Sequence, residues 1–550
     1  MRKFLALLAG MTLLGLGVLT GMFLAGFGPF YNMGDQLGLV ERGSGTVEIF
    51  TEGKLPESAL QDVRQTANVF SSLMDQEMGT PLTHSVRLYV TAGKKDYQAV
   101  LEREFELTAQ EARHVAGISG GWSGGSRHLT AINAGAGVMV SSTDRHSTTA
   151  HELFHQLQYE LSDGHDTDRE AIFWLEEGTA DYVGALVAEK LGGQSLEKWR
   201  LDSQLDVLLA AKPVEPEELM HCTMEQRQKL MGKEYHAYQV AGVMTGYLLS
   251  RLPPEQRLPA VASYFRYLAD VQTGEQAFRQ AFGIGLETFL QDYKAWWAAF
   301  CQQPATFHCL VWEGVDAQRR DMLERQLQET QDELTRKLGT SCRIRGEFQV
   351  VLAADEQRLA AAASKYCDLP QDKARELAKH SLGIENGSTL LINTQKLNDS
   401  RQCSLSVGIL LLRSLEGQYL GRGEQRQDIA WLSRGMSYVF GINSYLAKEG
   451  RNTGRYYEAL RSELRGYALP KLAGLVSDKA YGEAAAAYEA ERVSNFTELA
   501  AYELISRYGW KAFARWLEET RRCRNAEAAF LQVYGQASDT FAAKFQASLY

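Results

Sequence analysis

The sequence predicts a helix-rich α+β protein that consists of two related halves behind an apolar N-terminal segment. Three observations support this fold class. Apolar residues follow the i, i+3, i+4 spacing of amphipathic helices over most of the chain. One short β-rich segment interrupts this pattern in each half, and several short motifs of the first half recur in the same order in the second.

The composition is that of a globular protein. The chain has 550 residues, of which 45% are hydrophobic and 23% charged. Its formal net charge of −10 gives no support to nucleic-acid binding, so we expect no nucleic-acid partner. The seven cysteines include no C-x-x-C pair, which argues against a thiolate zinc or redox site. Their number is odd, so at least one thiol stays unpaired within the chain.

Residues 1–34 have the pattern of an export segment. Arg2 and Lys3 precede an apolar stretch at 4–30 that is long enough to span a bilayer as a helix. Its six glycines weaken the helix, and the small-residue cleavage site near Ala25 is poor. A cleaved signal peptide and an uncleaved membrane anchor both remain open. Either one predicts an extracytoplasmic location, in the periplasm, in the cell envelope or outside the cell.

Recurring motifs divide the chain into copies at 45–300 and 315–550, joined by a linker at 301–314. The paired segments are 174–178 with 431–435, 183–184 with 440–441, 107–113 with 369–375, and 274–278 with 526–530. Each copy is close to the upper size of a single domain. A chance likeness between Ala- and Leu-rich helical segments is the alternative explanation.

Each copy begins with a helical pattern followed by one strand candidate. These candidates are residues 85–90 in the first copy and 347–352 in the second, and both are rich in β-branched or aromatic residues. The later segments of both copies have helical patterns. We therefore expect a small β-sheet and many helices in each copy.

One segment of the first copy carries a metal-binding motif. The residues from Ser147 onward have the apolar spacing of an amphipathic helix, and Ser147 or Thr148 is its predicted N-terminal cap. His151 and His155 then lie on one face and can direct two imidazole nitrogens at one ion, with Glu152 beside them. In this H-E-x-x-H arrangement of metalloproteases, the histidines bind zinc and the glutamate is the general base.

A second helical segment, at 170–182, offers the third ligand. Catalytic zinc requires a third protein ligand and an open position for water, and a carboxylate is the expected companion of two histidines. Glu177 and Asp181 are four residues apart and therefore share a helix face. Glu176 competes with Glu177 for the role of ligand.

The two motifs together resemble the gluzincins, most closely the bacterial peptidase MA-like group, distant relatives of thermolysin. The resemblance is strongest over residues 147–184. It implies that Glu177, which directly precedes Gly178, is the third zinc ligand, and that Asp181 orients a zinc-binding histidine. It also implies a zinc peptidase with one zinc ion per chain. In such an enzyme the metal activates water, and Glu152 passes the water proton to the leaving amine.

The resemblance suggests two further assignments. Tyr238 is similar to the family tyrosine that stabilises the oxyanion, with Tyr235 and His236 as rivals and a packed core tyrosine as the alternative. In zincins an upstream edge strand holds extended substrate; residues 129–133 are the candidate, and an ordinary hairpin loop is the alternative. His165 is expected to be a solvated loop residue rather than a ligand.

The second copy is expected to lack the metal. Two alignments place 411–415 or 408–412 opposite the metal motif, and neither segment contains a ligand. Arg434 stands where the first copy has Glu177, so a permanent cation replaces a carboxylate. We expect this degenerate zincin-like domain to pack on the active copy, to shape its cleft or to hold a partner.

The leading hypothesis is an extracytoplasmic zinc peptidase that acts on a peptide or protein substrate. One alternative is a non-catalytic envelope binding or scaffold protein that retains a zincin fold. The intact Glu152 argues against it, because a structural site has no use for a general base. A zinc hydrolase of a glycopeptide or another amide is a further alternative, since it would share the same metal chemistry.

Overall fold

The computed structural model describes residues 45–550, except for 136–138, 167–169, 231–235, 272, 312–313, 380, 398 and 422–425. The predicted export segment, residues 1–34, lies outside the described residues. Within the described part of the chain, no helix combines the length and the apolar character that a membrane span requires.

The described chain is a helix-rich α+β protein with two small mixed sheets, as the sequence predicts. Its internal contacts divide the described residues into two compact units with the boundary after residue 297, inside the helix Leu286–Gln302, which is given below with the first unit. The division falls close to the end of the first predicted copy. The segment assigned to the linker, 301–314, contains a strand of the second sheet.

The first unit contains the following elements in chain order: β1 (Val47–Glu52), α1 (Glu57–Met78), β2 (Val86–Thr91), α2 (Lys94–Glu104), α3 (Ala109–Ile118), β3 (Gly121–Gly124), β4 (Leu129–Asn133), α4 (Ser142–Leu161), α5 (Phe173–Lys190), α6 (Leu196–Leu209), α7 (Met224–Leu230), α8 (Ala237–Ser250), α9 (Arg257–Asp270), α10 (Gly274–Phe282) and α11 (Leu286–Gln302).

The first sheet has the strand order β1-β2-β4-β3. Strands β1, β2 and β4 are parallel, and β3 runs antiparallel to β4, with Gly121 opposite Ile132 and Gly124 opposite Leu129. The predicted role of residues 129–133 as an edge strand is therefore wrong, because β4 pairs on both sides. Its five residues are all buried, as expected for an internal strand. The edge on this side of the sheet is β3.

Alternating side chains of the strands pack against helices on both faces of the sheet. Leu88 and Val90 of β2 pack in a cluster with residues of α1 on one face. Tyr89, which points the opposite way, packs with residues of α2 and α3 on the other. The largest core of the unit lies among the helices and includes residues of α1, α4, α5, α8 and α9. The sheet and this helical core together hold α4 in place.

Helix α4, which carries the metal motif, begins earlier than the sequence predicts. Its N-cap is Ser141, whose hydroxyl accepts from the Asp144 backbone N–H, while the Asp144 carboxylate accepts from the Ser141 backbone N–H. The predicted caps, Ser147 and Thr148, lie inside the helix. The start at Ser141 satisfies orphan N–H groups by a reciprocal capping box. It places His151 well inside the helix, where the backbone hydrogen bonds restrain it.

Helices α4 and α5 approach each other closely at a glycine. A β-carbon at Gly184 would lie 2.6 Å from the backbone oxygen of Ser147 and 3.5 Å from the β-carbon of His151. Only a residue without a side chain fits at this distance. The glycine thus sets the separation between the helix of the two histidines and the helix of Glu177.

The second unit contains the following elements in chain order: β5 (Thr306–Val311), α12 (Ala317–Leu338), β6 (Glu347–Ala353), α13 (Glu356–Cys367), α14 (Gln371–Ala378), β7 (Gly383–Asn386), β8 (Thr389–Asn393), α15 (Ser400–Leu420), α16 (Ala430–Glu449), α17 (Thr453–Leu464), α18 (Asp478–Tyr488), α19 (Ala490–Tyr508), α20 (Trp510–Cys523), α21 (Ala526–Tyr534) and α22 (Ser538–Ala547).

The second unit repeats the element order of the first through its sheet and its first long helix pair. Its sheet has the order β5-β6-β8-β7, with three parallel strands and an antiparallel fourth, as in the first unit. Helices α15 and α16 follow the sheet as α4 and α5 do. This correspondence supports the internal duplication that the recurring motifs predict.

We predict that Gly184→Ala destabilises the protein, because the added methyl group collides with the Ser147 backbone. Overpacking of this kind costs about 1–3 kcal/mol in the free energy of unfolding. Denaturant unfolding followed by circular dichroism measures the change.

Gly246→Ala in α8 is the matched control, since a β-carbon there meets no atom within 4 Å. We expect it to leave stability unchanged or to raise it by about 0.5–1 kcal/mol, from the better helix propensity of alanine. Equal effects of the two substitutions would show that the Gly184 contact does not limit the helix separation.

Candidate metal centre

Helices α4 and α5 bring together the three residues that the sequence singled out as metal ligands. His151 and His155 of α4 and Glu177 of α5 form a group whose candidate ligand atoms all lie within 4.8 Å of one another. All three side chains are largely shielded from solvent, with exposed fractions of 11%, 15% and 8%. The structure thus places the predicted ligands at one point.

The three atoms have the spacing of one face of a tetrahedral site. The Nε2 atoms of His151 and His155 are 3.0 Å apart, and they lie 3.5 and 3.7 Å from Oε2 of Glu177. Bonds of about 2.0–2.1 Å at tetrahedral angles put neighbouring ligand atoms about 3.3 Å apart. Oε2 of Glu177 is also buried without a hydrogen-bond partner among the described residues. The three residues could therefore hold a metal ion.

The outer ring nitrogens of both histidines are held by acceptors. Nδ1 of His151 lies 2.8 Å from Oδ1 of Asp181, and Nδ1 of His155 lies 2.7 Å from Oε1 of Gln158. The Gln158 amide nitrogen donates to the backbone oxygen of Glu176, at 2.9 Å, so its oxygen must face the histidine. Each Nδ1 therefore has an acceptor, and both Nε2 atoms face the same position, 3.0 Å from each other. A cation there would satisfy both.

The charges of the cluster reinforce one another. Burial by itself would lower the pKa of His155, but the Glu177 carboxylate raises it to about 9. Burial would likewise lower the pKa of His151, which Asp181 and Glu177 instead raise well above its usual value. Burial would raise the pKa of Glu177, yet the two histidines hold it well below its usual range. The buried Glu177 carboxylate thus stays ionised, and it is stabilised by positive charge beside it.

Glu152 lies beside the ligands, under the edge strand. Its side chain is buried, and burial raises the pKa of its carboxyl, although His151 and His155 oppose this effect. A β-carbon at Gly121 of β3 would overlap the Glu152 carboxylate, so the glycine leaves the room that this side chain occupies. A raised pKa makes a carboxylate a stronger proton acceptor, which suits Glu152 to take a proton at the metal position.

Tyr238 also reaches the centre. It stands at the start of α8, its ring lies 6.2 Å from that of His151, and burial together with Glu177 and Glu152 raises the pKa of its hydroxyl. Of its rivals, Tyr235 lies outside the described residues. His236 precedes α8 with a left-handed φ of 51°, and it does not line the cavities beside the ligands. The loop residue His165 is half-buried and does not belong to the ligand group.

Glu176, the competing ligand, pairs with an arginine and does not belong to the ligand group. Its Oε2 pairs with the Arg227 guanidinium at 2.7 Å, and that guanidinium lies 4.6 Å from the centre of the Phe173 ring. Burial raises the pKa of Glu176 to about 7, although Arg227 opposes this shift. Of the two neighbouring acids, Glu177 is therefore the one directed at the metal position.

Two cavities adjoin the centre, with volumes of about 370 and 390 Å³. Both are lined by His151, Glu152 and Tyr238. The first also contacts the edge strand β3, and the second reaches Asp181 and Trp199. Their shared lining gives a bound molecule access to the metal position from the edge of the sheet.

Sequence analysis did not identify Gln158, Gly121 or Arg227 as parts of the site. Gln158 follows His155 by three residues, so helix geometry alone could have placed it on the same face. Gly121 and Arg227 come from β3 and α7, which are distant in sequence from the motif. Only the packing of those elements brings them to the centre.

The corresponding position of the second unit is identified by equivalent contacts. A β-carbon at Gly184 would contact Ser147 and His151, and one at Gly441 would contact Leu405 and Ile409 in the same way. Similarly, a β-carbon at Gly121 would contact Glu152, and one at Gly383 would contact Leu410. The segment opposite the motif is therefore 409–413. Both registers considered from the sequence, 411–415 and 408–412, are wrong.

In this register, aliphatic or positively charged residues occupy the positions equivalent to the metal ligands and Glu152. Ile409 stands for His151, Leu410 for Glu152 and Arg413 for His155. Arg434 stands for Glu177, as predicted. Aliphatic and guanidinium groups do not bind zinc, so these positions of the second unit supply no metal ligand.

No protein-family model matches the chain, and no curated protein matches it either.

We predict that Glu177→Gln abolishes stoichiometric zinc binding, because it removes the one anionic ligand from a buried site. Replacement of a residue that merely supports a ligand costs about 10–100-fold in affinity, so the loss of a ligand should exceed that range. Zinc per chain, measured by mass spectrometry of metals after dialysis, tests this expectation.

Glu176→Gln is the matched control, since its amide can still accept a hydrogen bond from Arg227. It should retain one zinc per chain. If Glu177→Gln retains zinc and Glu176→Gln loses it, the ligand is Glu176 and the assignment to Glu177 is wrong.

Proposed function

We propose that this protein is an extracytoplasmic zinc-dependent peptidase, with a gluzincin-like active unit followed by a degenerate zincin-like copy. The observation that carries the proposal is the convergence of two Nε2 atoms and one carboxylate oxygen at tetrahedral spacing, with Glu152 beside them. The resemblance to the peptidase MA-like group rests on the same residues. A zinc ion held there would polarise a scissile carbonyl and acidify a water molecule.

Each residue of the centre has a distinct task in this proposal. His151, His155 and Glu177 hold the ion, while Asp181 and Gln158 fix the orientation of the two imidazoles. Glu152 accepts the proton of the attacking water and delivers it to the nitrogen of the leaving amine. Burial raises the pKa of the Glu152 carboxyl, which strengthens it as a proton acceptor.

The edge strand β3 is the proposed site of substrate alignment. Its outer side pairs with no strand among the described residues, and Gly121, Trp122 and Ser123 line the cavity that contains the ligands. An extended peptide can pair with such an edge through backbone hydrogen bonds, which recognise peptides largely independently of sequence. This geometry favours a peptide substrate over a compact amide.

Tyr238 is proposed to donate a hydrogen bond to the oxyanion that forms on the scissile carbonyl. Its hydroxyl stays protonated, since burial and the neighbouring carboxylates raise its pKa well above the usual value. It lines both cavities beside the ligands. A neutral donor in this position becomes more valuable as negative charge develops on the oxygen.

We predict that Glu152→Gln keeps the zinc and loses the hydrolysis of peptides. The amide preserves the shape of the side chain but cannot accept the proton of water, and general-base catalysis contributes about 10²–10⁴-fold. Cleavage of a fluorogenic peptide library, with zinc content measured on the same samples, tests this outcome. His155→Ala is the contrasting variant, because it should lose both metal and activity. Unchanged turnover in Glu152→Gln would remove Glu152 from the mechanism.

We also predict that Tyr238→Phe lowers kcat by about 10²–10³-fold, with little change in KM and with full zinc content. The hydroxyl acts mainly on the developing oxyanion, so ground-state binding should change little. Tyr247→Phe on the same helix is the control, since Tyr247 packs against Trp296, 4.6 Å between ring centres. If the two variants have equal kcat, Tyr238 is a packing residue.

A further inference from the structure

A third cavity, with a volume of about 250 Å³, adjoins the 390 Å³ cavity beside the candidate ligands. The two cavities share five lining residues: Asp144, Ser147, Asp181, Ala185 and Trp199. The candidate ligand His151 lines the 390 Å³ cavity and not the third one. One bound molecule can therefore occupy the metal position and the third cavity together.

The third cavity is lined by carboxylates from three helices. These are Asp144 of α4, Asp181 of α5, and Asp202 and Asp206 of α6. No lysine or arginine is found among the described residues that line this cavity or the adjoining 390 Å³ cavity. The 370 Å³ cavity differs, since it is lined by Arg227. The third cavity therefore favours a positively charged group.

Two of these carboxylates are held in place without a lysine or arginine partner in the described part of the chain. The Asp144 carboxylate accepts from the backbone N–H of Ser141 at 3.0 Å, and Oδ1 of Asp181 lies 2.8 Å from Nδ1 of His151. Both carboxylates line the third cavity as well. Their fixed positions prepare the cavity for a cation, because no side chain must reorganise before it binds.

A buried hydroxyl of the same cavity is an independent indication of a ligand. Ser203 of α6 is 8% exposed and lines the cavity, and its hydroxyl has no hydrogen-bond partner among the described residues. A buried polar group without a partner costs free energy, which a bound hydrogen-bond donor would recover. Ammonium and guanidinium N–H groups are strong donors to hydroxyl and carboxylate oxygens.

An apolar wall connects the third cavity to the metal centre. Trp199 and Ala185 line both the third cavity and the 390 Å³ cavity. The Trp199 ring meets the ring of Tyr182 edge-on, with 5.9 Å between the ring centres, which restricts its orientation. The aliphatic stems of lysine and arginine pack on surfaces of this kind while their charged ends stay among polar groups. An indole ring also attracts a nearby cation.

We propose that the third cavity is a specificity pocket for the basic side chain, lysine or arginine, of a peptide substrate. The inference rests on the proposed peptidase function, since it takes the scissile bond to lie at the metal position. The stem of the basic side chain packs along Trp199, and its charged end binds among the carboxylates and the Ser203 hydroxyl. A metal cation would match the carboxylates but would make no use of the apolar wall.

Isothermal titration calorimetry on the full chain with the Glu152→Gln substitution tests the pocket without hydrolysis of the probe. The probes are two alanine pentapeptides, capped at both ends, with lysine or norleucine at the central position. Norleucine has the stem of lysine without its ammonium group. We expect the lysine peptide to bind at least about tenfold more tightly. Equal affinities would overturn the proposal.

Two further titrations identify the group that binds. An uncapped alanine pentapeptide that binds as tightly as the lysine peptide would place an α-amino group in the cavity. Displacement of the lysine peptide by calcium chloride at lower concentration than the peptide would show a metal site. We expect neither result, and either one would overturn the assignment to a basic side chain.

Two substitutions in α6 test the assignment to this cavity. Ser203→Ala should weaken binding of the lysine peptide at least about threefold, and Asp206→Asn at least about tenfold, with little effect on the norleucine peptide. Asp202 is left unchanged, because it pairs at 2.7 Å with Lys198, which is 1% exposed. An unchanged lysine preference in both variants would place the peptide at another site and overturn the proposal.

Glu197→Gln is the matched control on the same helix. The Glu197 side chain is 49% exposed, pairs with Arg200 at 2.7 Å and does not line the cavity. This variant also loses one negative charge from α6, so it separates a local effect from a general effect of charge. We expect its lysine preference to equal that of the protein without this substitution. An equal loss in Glu197→Gln and Asp206→Asn would overturn the assignment to the cavity.

A measurement on the unaltered protein covers the case in which the variants do not fold. Cleavage products of a randomised peptide library, sequenced by mass spectrometry, should show lysine and arginine enriched at one fixed position from the scissile bond. Cleavage without this enrichment would overturn the pocket and leave the peptidase standing. A library that stays uncut, together with a retained lysine preference in calorimetry, would overturn the peptidase and support the cavity as a site for basic side chains.

Discussion

The close packing of helix α4 on helix α5 is the constraint on which the candidate metal centre depends. The two histidines belong to one helix and Glu177 to the other, so their distances follow from the separation of two backbones. Gly184 permits that separation, and Gln158 connects the His155 ring to the backbone of α5. A helix pair held at this distance by its core fixes the three candidate ligands in advance, so a metal ion could bind there without a large rearrangement.

The second unit has the same arrangement of strands and helices as the first but different residues at the ligand positions. It keeps the strand order, the helix pair and the close glycine contact at Gly441, while the ligand positions carry Ile409, Arg413 and Arg434. The fold therefore does not need the metal to hold its helices together. Its stability comes from a hydrophobic core that both units build in the same way, and the polar residues between the helices are free to change. In the first unit these residues are two histidines and a glutamate that could hold a metal ion, and in the second unit two of the three equivalent positions carry arginine.

The parts of the site that sequence could predict are those within one helix turn or within a known motif. His151 and His155 converge because residues four apart share a helix face, and the motif of α5 identified Glu177 and Asp181 through the family resemblance. Where the prediction failed, the missing information was non-local. An internal strand and an edge strand have similar patterns when both faces are covered, so the sequence did not show that β3 is the edge and β4 is not. One register of the second copy failed because Gln418-Tyr419, in the same helix as the equivalent segment, is not the structural counterpart of Gln158-Tyr159. The other failed because the chain between the two helices of the pair is one residue shorter in the second copy.

The sequence by itself determined the helix-rich α+β class, the two copies, the spacing of the metal motif and the reversed charge at Arg434. These properties follow from short-range periodicity and residue identity, which folding does not alter. The tertiary structure alone decided which side chains surround the candidate ligands. Gln158 contacts His155 and Gly121 lies against Glu152, and no local sequence pattern indicates these contacts. It also decided that Arg413 is the equivalent of His155 in the second copy. This equivalence follows from how the two helices of each pair pack and not from distances along the chain.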